Sequence, residues 1–192
     1  MTKKTINKET DSPFEAVIDE YNFKQVWWLE KAAEAAKKVA RIKLPRASAT
    51  GFLISEDILI TNNHVLEHID DARVAAVEFN YQVDIADEPS VKDTWECDPD
   101  QLFVTNEQLD YTIVKLKHRG MQKPGDVWGF FDISNKQDVD VYQRVNIIQH
   151  PRGRHKEIVF RDNQVRAVEP PVIQYITDTD YGSSGAPVLD DW

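Results

Sequence analysis

The sequence has little cysteine, no excess of positive charge and no long apolar run. Its 192 residues include one cysteine, Cys97, which excludes a disulfide framework and fits a reducing compartment. Acidic residues number 33 against 23 basic ones, and this balance argues against nucleic acids and membranes as partners. No apolar run approaches the roughly 18 residues of a membrane span, and the polar N-terminus lacks the apolar core of a signal peptide. We therefore expect a cytoplasmic protein.

The first 46 residues differ in pattern from the rest of the chain. After a polar tail, Ser12 and Pro13 form a helix-start pattern, with a capping residue and a proline at the first helical position. Apolar residues then recur at helical spacing towards Pro45. This predicts a polar tail and an amphipathic helix over residues 1–46, with the helix packed on the main domain. The alternative is a docking or oligomerisation element, which the Trp27–Trp28 pair favours.

From Ala47 the chain consists of short apolar runs separated by polar turns. The runs are rich in Ile, Val, Leu and Thr, and a turn-like segment at 121–126 divides them into two sets. Many short strands with turns between them are typical of an all-β sandwich or barrel. We therefore predict an all-β fold, with a first lobe (47–124) and a second lobe (125–192) behind the N-terminal helix. The acid-rich segment Asp84–Asp100 is predicted to be a solvated loop, because its spacing is not that of a calcium-binding loop.

The stretch Tyr181–Val188, YGSSGAPV, contains a candidate nucleophile. Ser184 reacts poorly alone, because a serine hydroxyl needs a base within hydrogen-bonding distance and a third group that orients the base. The candidate base is His64, which follows an apolar strand in ITNNHVL; a turn or helix-start role is the alternative. His150 precedes a proline and is predicted to be a structural turn residue. Three further histidines carry no functional argument, namely His68, His118 and His155.

Asp110 is the candidate for the orienting carboxylate. It opens the apolar run YTIVKL, where a buried carboxylate costs several kcal/mol unless it is paired, although a capping role is the alternative. Gly182 permits a backbone conformation that other residues avoid, so the amides of Gly182 and Ser184 could together bind an oxyanion. Gly185 is expected to let the substrate approach closely. By itself, the string GSSG is most often a turn.

Taken together, these segments resemble the trypsin-like serine peptidases of the chymotrypsin fold. GFLISEDILITNNHVL, LDYTIVKL and GSSGAPV follow one another in the order His, Asp, Ser, as in the disulfide-free bacterial branch near the V8-type and HtrA-type proteases. The likeness covers Ala47–Trp192 and implies two six-stranded-type β-barrel lobes. It implies that His64 is the general base and then the acid, that Asp110 orients it, and that Ser184 attacks the carbonyl carbon. It also implies an oxyanion hole formed by the amides of Gly182 and Ser184.

The sequence departs from that family in two places. Ser183 stands where many animal enzymes carry an aspartate that pairs with a newly cut N-terminus, which argues against that route of activation. The family has roughly two further strands after the nucleophile motif, so we expect a second lobe that lacks its final strands and a chain that belongs to a longer, multidomain bacterial protein. Asp178, six residues before Ser184, hints at cleavage after Lys or Arg; alternatively, this acid faces elsewhere.

The leading hypothesis is a cytoplasmic serine endopeptidase that hydrolyses protein or peptide substrates through an acyl-enzyme. We expect no cofactor and no metal site, because no set of His and Asp residues has ligand spacing. A regulatory partner or a fused domain is expected. The alternative is a protease-like binding or regulatory module, inactive until it is completed or switched by a partner. Chemistry through Cys97 is disfavoured because its acidic surroundings raise the pKa of a thiol.

Overall fold

The computed structural model describes residues 24–134, 138–161, 163–176 and 180–190. In these residues the helices are α1 (Trp27–Lys37), α2 (Ile69–Val74) and α3 (Pro124–Trp128), with a 3-10 turn at Pro151–Gly153. The strands are β1 (Val39–Lys43), β2 (Ser48–Leu53), β3 (Ile58–Thr61), β4 (Ala76–Phe79), β5 (Asp93–Glu96), β6 (Phe103–Asn106), β7 (Tyr111–Lys115), β8 (Asn146–Gln149), β9 (Glu157–Val159), β10 (Val165–Glu169), β11 (Val172–Tyr175) and β12 (Val188–Leu189). No helix in the described ranges combines the length and apolar character needed to cross a membrane.

The first lobe is one antiparallel sheet of seven described strands in the order β5-β4-β1-β2-β3-β7-β6. The sheet curls because the end of β5 meets the end of β7. Cys97 and Leu116 form a β-bridge there, and the amide of Lys117 donates to the carbonyl of Glu96 at 2.9 Å. The inner face carries the main hydrophobic core, which includes Phe79 and Trp95. Burying side chains of this size contributes roughly 2–3 kcal/mol each to folding.

The second lobe contains, in the described part, a three-stranded sheet (β12-β8-β9) and the β10–β11 hairpin. Helix α1 and the two lobes meet in a second hydrophobic cluster. Ala35 of α1, Val39 of β1 and Ile148 of β8 are buried in it. Trp28 is also buried, with its ring centroid 6.1 Å from that of Phe160 in the second lobe. The helix therefore packs on the β domain, while Trp27 remains 46% exposed.

The all-β fold with an N-terminal helix is confirmed, but two local predictions are wrong. The helix ends at Lys37, and Val39–Lys43 form a strand between β2 and β4, because Ile42 and its neighbours pair on both sides. The acid-rich segment also contains a strand, β5, because Trp95 fills the core while Thr94 and Glu96 on either side of it are exposed. The predicted helix start at Ser12 and Pro13 lies outside the described residues. The domain division at 47 and 125 otherwise stays a prediction.

Candidate active site

Two neighbouring strands of the first sheet bring His64 and Asp110 together. Strands β3 and β7 are antiparallel, with Thr61 opposite Thr112. His64 follows the end of β3 and Asp110 immediately precedes the start of β7. In an antiparallel pair the end of one strand lies beside the start of the other, so the register places both residues at the same edge of the sheet.

The two side chains are in direct contact. Nδ1 of His64 lies 2.9 Å from Oδ2 and 3.0 Å from Oδ1 of Asp110, and the His64 amide donates to Oδ1 at 3.1 Å. The side chains are 56% and 45% exposed, respectively. A carboxylate on Nδ1 favours the tautomer that carries its proton there, which leaves Nε2 as the proton acceptor. The pair therefore has the arrangement of an oriented base.

The backbone of Asp110 is held in an unusual conformation. Its φ is +49°, in the left-handed region, which costs a non-glycine residue on the order of 1 kcal/mol. The side-chain amide of Asn62 donates to the Asp110 carbonyl at 2.7 Å, and the Asp110 amide donates to the Glu107 carbonyl at 3.2 Å. Asn62 thus positions Asp110 as well as preceding His64 in the chain. This role was not predicted from the sequence, although Asn62 lies in the same ITNNHVL segment as His64.

Ser184 faces the same cleft as His64. The cleft has a volume of about 660 Å³, and its walls include Val65, Tyr181 and Gly182. Ser184 lies ahead of β12, which pairs with β8, so the second lobe contributes the serine and the first lobe the imidazole. In this structure Ser184 and His64 are not hydrogen-bonded to each other. Such bonds are often long before substrate binds, so the arrangement remains compatible with a nucleophile and its base.

The two amides predicted to bind an oxyanion lie at this cleft. Among the described residues, neither the Gly182 nor the Ser184 amide donates to another group, although the Ser183 amide between them donates to the Asp180 carbonyl at 3.0 Å. Gly182 has a φ of +91°, and a Cβ there would lie 2.6 Å from the His150 carbonyl oxygen. Only glycine fits this position. Two amides are therefore available beside the hydroxyl of Ser184.

Gly185 has a different role from the one predicted. Its φ is +84°, and a Cβ at this position would overlap the carbonyl oxygen of Thr50 and the hydroxyl of Thr61. Both groups belong to the first lobe, on β2 and β3. The glycine therefore lets residues 180–187, the nucleophile loop, approach the first lobe, rather than giving a substrate access.

Thr50 joins the lobes behind the nucleophile loop. It is fully buried, and its amide donates to the Ser184 carbonyl at 2.8 Å. Its hydroxyl donates to the Gly182 carbonyl at 2.8 Å and accepts from the His150 amide at 3.0 Å. One first-lobe residue thus holds both second-lobe segments that lie beside the two predicted oxyanion-binding amides. The sequence reasoning missed it, because ATGFL reads as an ordinary strand.

We expect Thr50→Val to lower the free energy of unfolding by about 1–3 kcal/mol, because it leaves the Gly182 carbonyl and the His150 amide buried without this partner. Urea denaturation measures the change. Thr94→Val, at an exposed position of β5, is the control and should change the stability little. Equal stability of the two variants would contradict the role assigned to Thr50.

His150 is a structural residue beside the site. It is fully buried, and its Nδ1 lies 3.0 Å from the Arg154 carbonyl oxygen, while its Nε2 has no hydrogen-bond partner in the described structure. Burial lowers the pKa of His150 to about 3. The imidazole is therefore neutral in the folded protein at neutral pH and unsuited to accept a proton from Ser184.

This shift predicts a loss of stability on acidification. The unfolded chain takes up a proton at His150 below a pKa of about 6.5, whereas the folded protein resists protonation down to about 3, so stability falls as the pH drops. The expected contribution is about 3 kcal/mol between pH 7 and pH 4.5. Urea denaturation of wild type and His150→Gln at both pH values gives the part of the stability loss that is due to His150. An NMR titration of folded wild type that shows the His150 ring protonating near pH 6.5 would contradict it.

None of the other described residues considered from the sequence, Cys97, His68, His118 and His155, lines the cleft. Cys97 is buried in the first-lobe core, and burial raises the pKa of its thiol to about 12, so it is a poor nucleophile. Asp178 lies outside the described residues. The other histidines have structural contacts: His68 precedes α2, His118 lies 2.7 Å from Asp57, and the His155 ring lies 4.6 Å from that of Tyr81.

The chain is similar to a known peptidase family over most of its length. A family model described as a trypsin-like peptidase domain matches residues 49–191. A relative from Sinorhizobium fredii, called uncharacterized protein y4fB, is 33% identical over 196 residues, covering 93% of this chain and 30% of the relative. The chain spans less than half the length of the curated relatives it matches, 30% of one and 43% of another.

Solved structures share the fold. A serine endoprotease from Yersinia pestis aligns with a TM-score of 0.63 at 15% identity, over 90% of this chain and 55% of that one. A Glu endopeptidase aligns with a TM-score of 0.59 at 18% identity, over 81% of this chain and 74% of that one. At these identities the likeness concerns the fold alone, and it confirms the two-lobed β architecture. Together with the family match over most of its length, this shows that the chain belongs to the trypsin-like peptidase family.

Proposed function

We propose that this protein is a serine endopeptidase that acts through Ser184, His64 and Asp110. The observation that carries the proposal is the shared cleft, in which Ser184 of the second lobe faces His64 of the first, while the Asp110 carboxylate contacts Nδ1 of His64. Membership of the trypsin-like peptidase family supports the same reaction class. The substrate is a protein or peptide.

In the proposed reaction, Nε2 of His64 takes the proton from Ser184 as its Oγ bonds to the carbonyl carbon of the substrate. The amides of Gly182 and Ser184 donate to the oxygen that becomes negative. His64 then gives its proton to the leaving nitrogen as the C–N bond breaks, which leaves an acyl-enzyme. Water attacks that ester, its proton passes through His64 to Ser184, and the acid product departs.

The protein is proposed to act in the bacterial cytoplasm as one domain of a larger, regulated protein. The buried single cysteine fits a reducing compartment, and a bacterial relative is more than three times as long as the segment it shares with this chain. The preference for Lys or Arg before the cleaved bond, through Asp178, stays a prediction. Hydrolysis of a fluorogenic peptide library by the full-length protein tests the endopeptidase activity.

A second candidate is a binding or regulatory module that a partner must switch on. It is favoured by the missing hydrogen bond between Ser184 and His64 in this structure. The two candidates differ in one result: a peptidase turns the library over, whereas a switched module binds peptides without cutting them until its partner is added.

A further inference from the structure

The cleft has a cationic rim, although the chain as a whole carries a net charge of −10. Arg46 and Arg152 line it together with His64 and Ser184, and no carboxylate is among its described lining residues. Clefts lined by one sign of charge concentrate ligands of the opposite sign. The rim therefore differs in sign from the average surface of the molecule.

Arg46 projects from the tight turn between β1 and β2. The turn is closed by a hydrogen bond of 3.0 Å from the Leu44 amide to the Ala47 carbonyl. Arg46 is exposed, and it makes neither a hydrogen bond nor an ion pair with any residue in the described ranges. Lys43, the last residue of β1, lies with its Nζ 3.5 Å from the hydroxyl of Ser48, which also lines the cleft. The turn thus presents a cation that no described acid neutralises.

Arg152 belongs to the second lobe and lines the same cleft as Arg46. Its backbone has a φ of +54°, and its amide donates to the Tyr181 carbonyl, which ties it to the nucleophile loop. Its Nε donates to Asp180 at 2.5 Å, but its side chain is 67% exposed, and its two terminal nitrogens make no hydrogen bond to a described residue. Asp180 therefore holds the guanidinium in place, and the outer nitrogens remain open to a ligand.

We infer that the cleft selects an acidic side chain in the substrate segment that follows the cleaved bond. The inference rests on the proposed peptidase function. His64 must protonate the leaving nitrogen, so the leaving segment begins beside this imidazole. Val65, Ser48, Ala49 and Arg46 line the same cleft as this imidazole. An Asp or Glu within the first three residues after the cleaved bond can reach Arg46 or Arg152, and the planar guanidinium suits a carboxylate.

The expected preference is modest and sensitive to salt. Exposed ion pairs change an equilibrium constant by roughly two- to fivefold, and two arginines acting on one carboxylate raise this to about tenfold. Because the groups are exposed, increasing the ionic strength to about 1 M should remove most of the preference.

The test compares peptides that differ only by Asp or Asn at each of the three positions after the cleaved bond. Wild-type protein should cleave the best Asp peptide about five- to tenfold faster in kcat/KM than the Asn peptide, and Arg46→Glu should abolish this ratio or reverse it in favour of Asn. Arg73→Glu, on the exposed face of α2, is the matched control and should leave the ratio unchanged. Equal cleavage of the Asp and Asn peptides, or a preference that Arg46→Glu does not alter, would overturn the inference.

Binding separates this inference from the proposed function. In a Ser184→Ala background, anisotropy of labelled peptides should show tighter binding of the Asp peptide, and adding Arg46→Glu should reverse it. If the native protein cuts no peptide but this binding preference holds, the cleft inference stands and the peptidase proposal fails. If peptides are cut yet Asp and Asn bind equally, the peptidase proposal stands and the cleft inference fails.

Discussion

Replacing Ser184 by alanine should lower kcat for peptide hydrolysis by about 10⁶-fold in the full-length protein. The substitution removes the oxygen that bonds to the carbonyl carbon, and neither His64 nor the free amides can replace it. Binding of peptides in the cleft should survive, because the walls of the cleft are unchanged. The measurement is the turnover of a fluorogenic peptide, with KM obtained from the same data.

The neighbouring serine supplies the control. Ser183 is buried, and its hydroxyl accepts from the Asp180 amide at 3.2 Å, so Ser183→Ala keeps the reacting oxygen while removing a structural hydrogen bond. We expect Ser183→Ala to lower the free energy of unfolding by about 1 kcal/mol and to keep substantial peptide turnover. If Ser183→Ala abolished turnover while Ser184→Ala spared it, the nucleophile would be misassigned.

Gly185→Ala should destabilise the protein by roughly 3 kcal/mol or more. Two effects add. An L-residue at a φ of +84° pays about 1 kcal/mol of backbone strain, and the new methyl group overlaps the Thr50 carbonyl and the Thr61 hydroxyl, which are both buried. The nucleophile loop must then move away from β2, which also disrupts the proposed oxyanion site. Urea denaturation measures the loss of stability, and a fall in peptide turnover reports the displacement of the nucleophile loop.

Gly120→Ala is the control that has the backbone strain of Gly185→Ala without its steric overlap. Gly120 has a φ of +65°, but an added Cβ would meet nothing within 4 Å, so this variant should lose only about 1 kcal/mol. If the two variants were equally stable, Gly185 would not be the point where the lobes make close contact. If Gly185→Ala does not fold, the soluble yield relative to Gly120→Ala shows the same difference.

The pairing of His64 with Asp110 could be predicted because each lies at an end of a recognisable apolar strand. A histidine after one strand and an aspartate before another meet when the strands are antiparallel neighbours, and the motif order already favoured that arrangement. The unusual backbone of Gly182 was also predicted, although GSSG by itself is most often a turn. In both cases the local pattern left an alternative open, and the resemblance to the trypsin-like peptidases decided between the two.

Other features depend on contacts between distant parts of the chain, which one sequence does not specify. Thr50 looks like any strand residue until β2 meets the nucleophile loop of the second lobe. Strand β1 follows a helix without a glycine or proline, so its pairing with β2 and β4 decides its structure against a helical pattern. The cationic rim likewise requires that Arg46 of the first lobe and Arg152 of the second lobe line one cleft. Each of these three features depends on contacts between segments that are far apart in the sequence.

The central claim is that a hydroxyl of one lobe is activated by an imidazole of the other. Peptide mapping after reaction with a fluorophosphonate tests it most directly. The account predicts one adduct, on Ser184, which Ser184→Ala abolishes and His64→Ala slows by several orders of magnitude. An intact, folded protein with no adduct on Ser184, or an adduct that forms equally fast without His64, would contradict the claim.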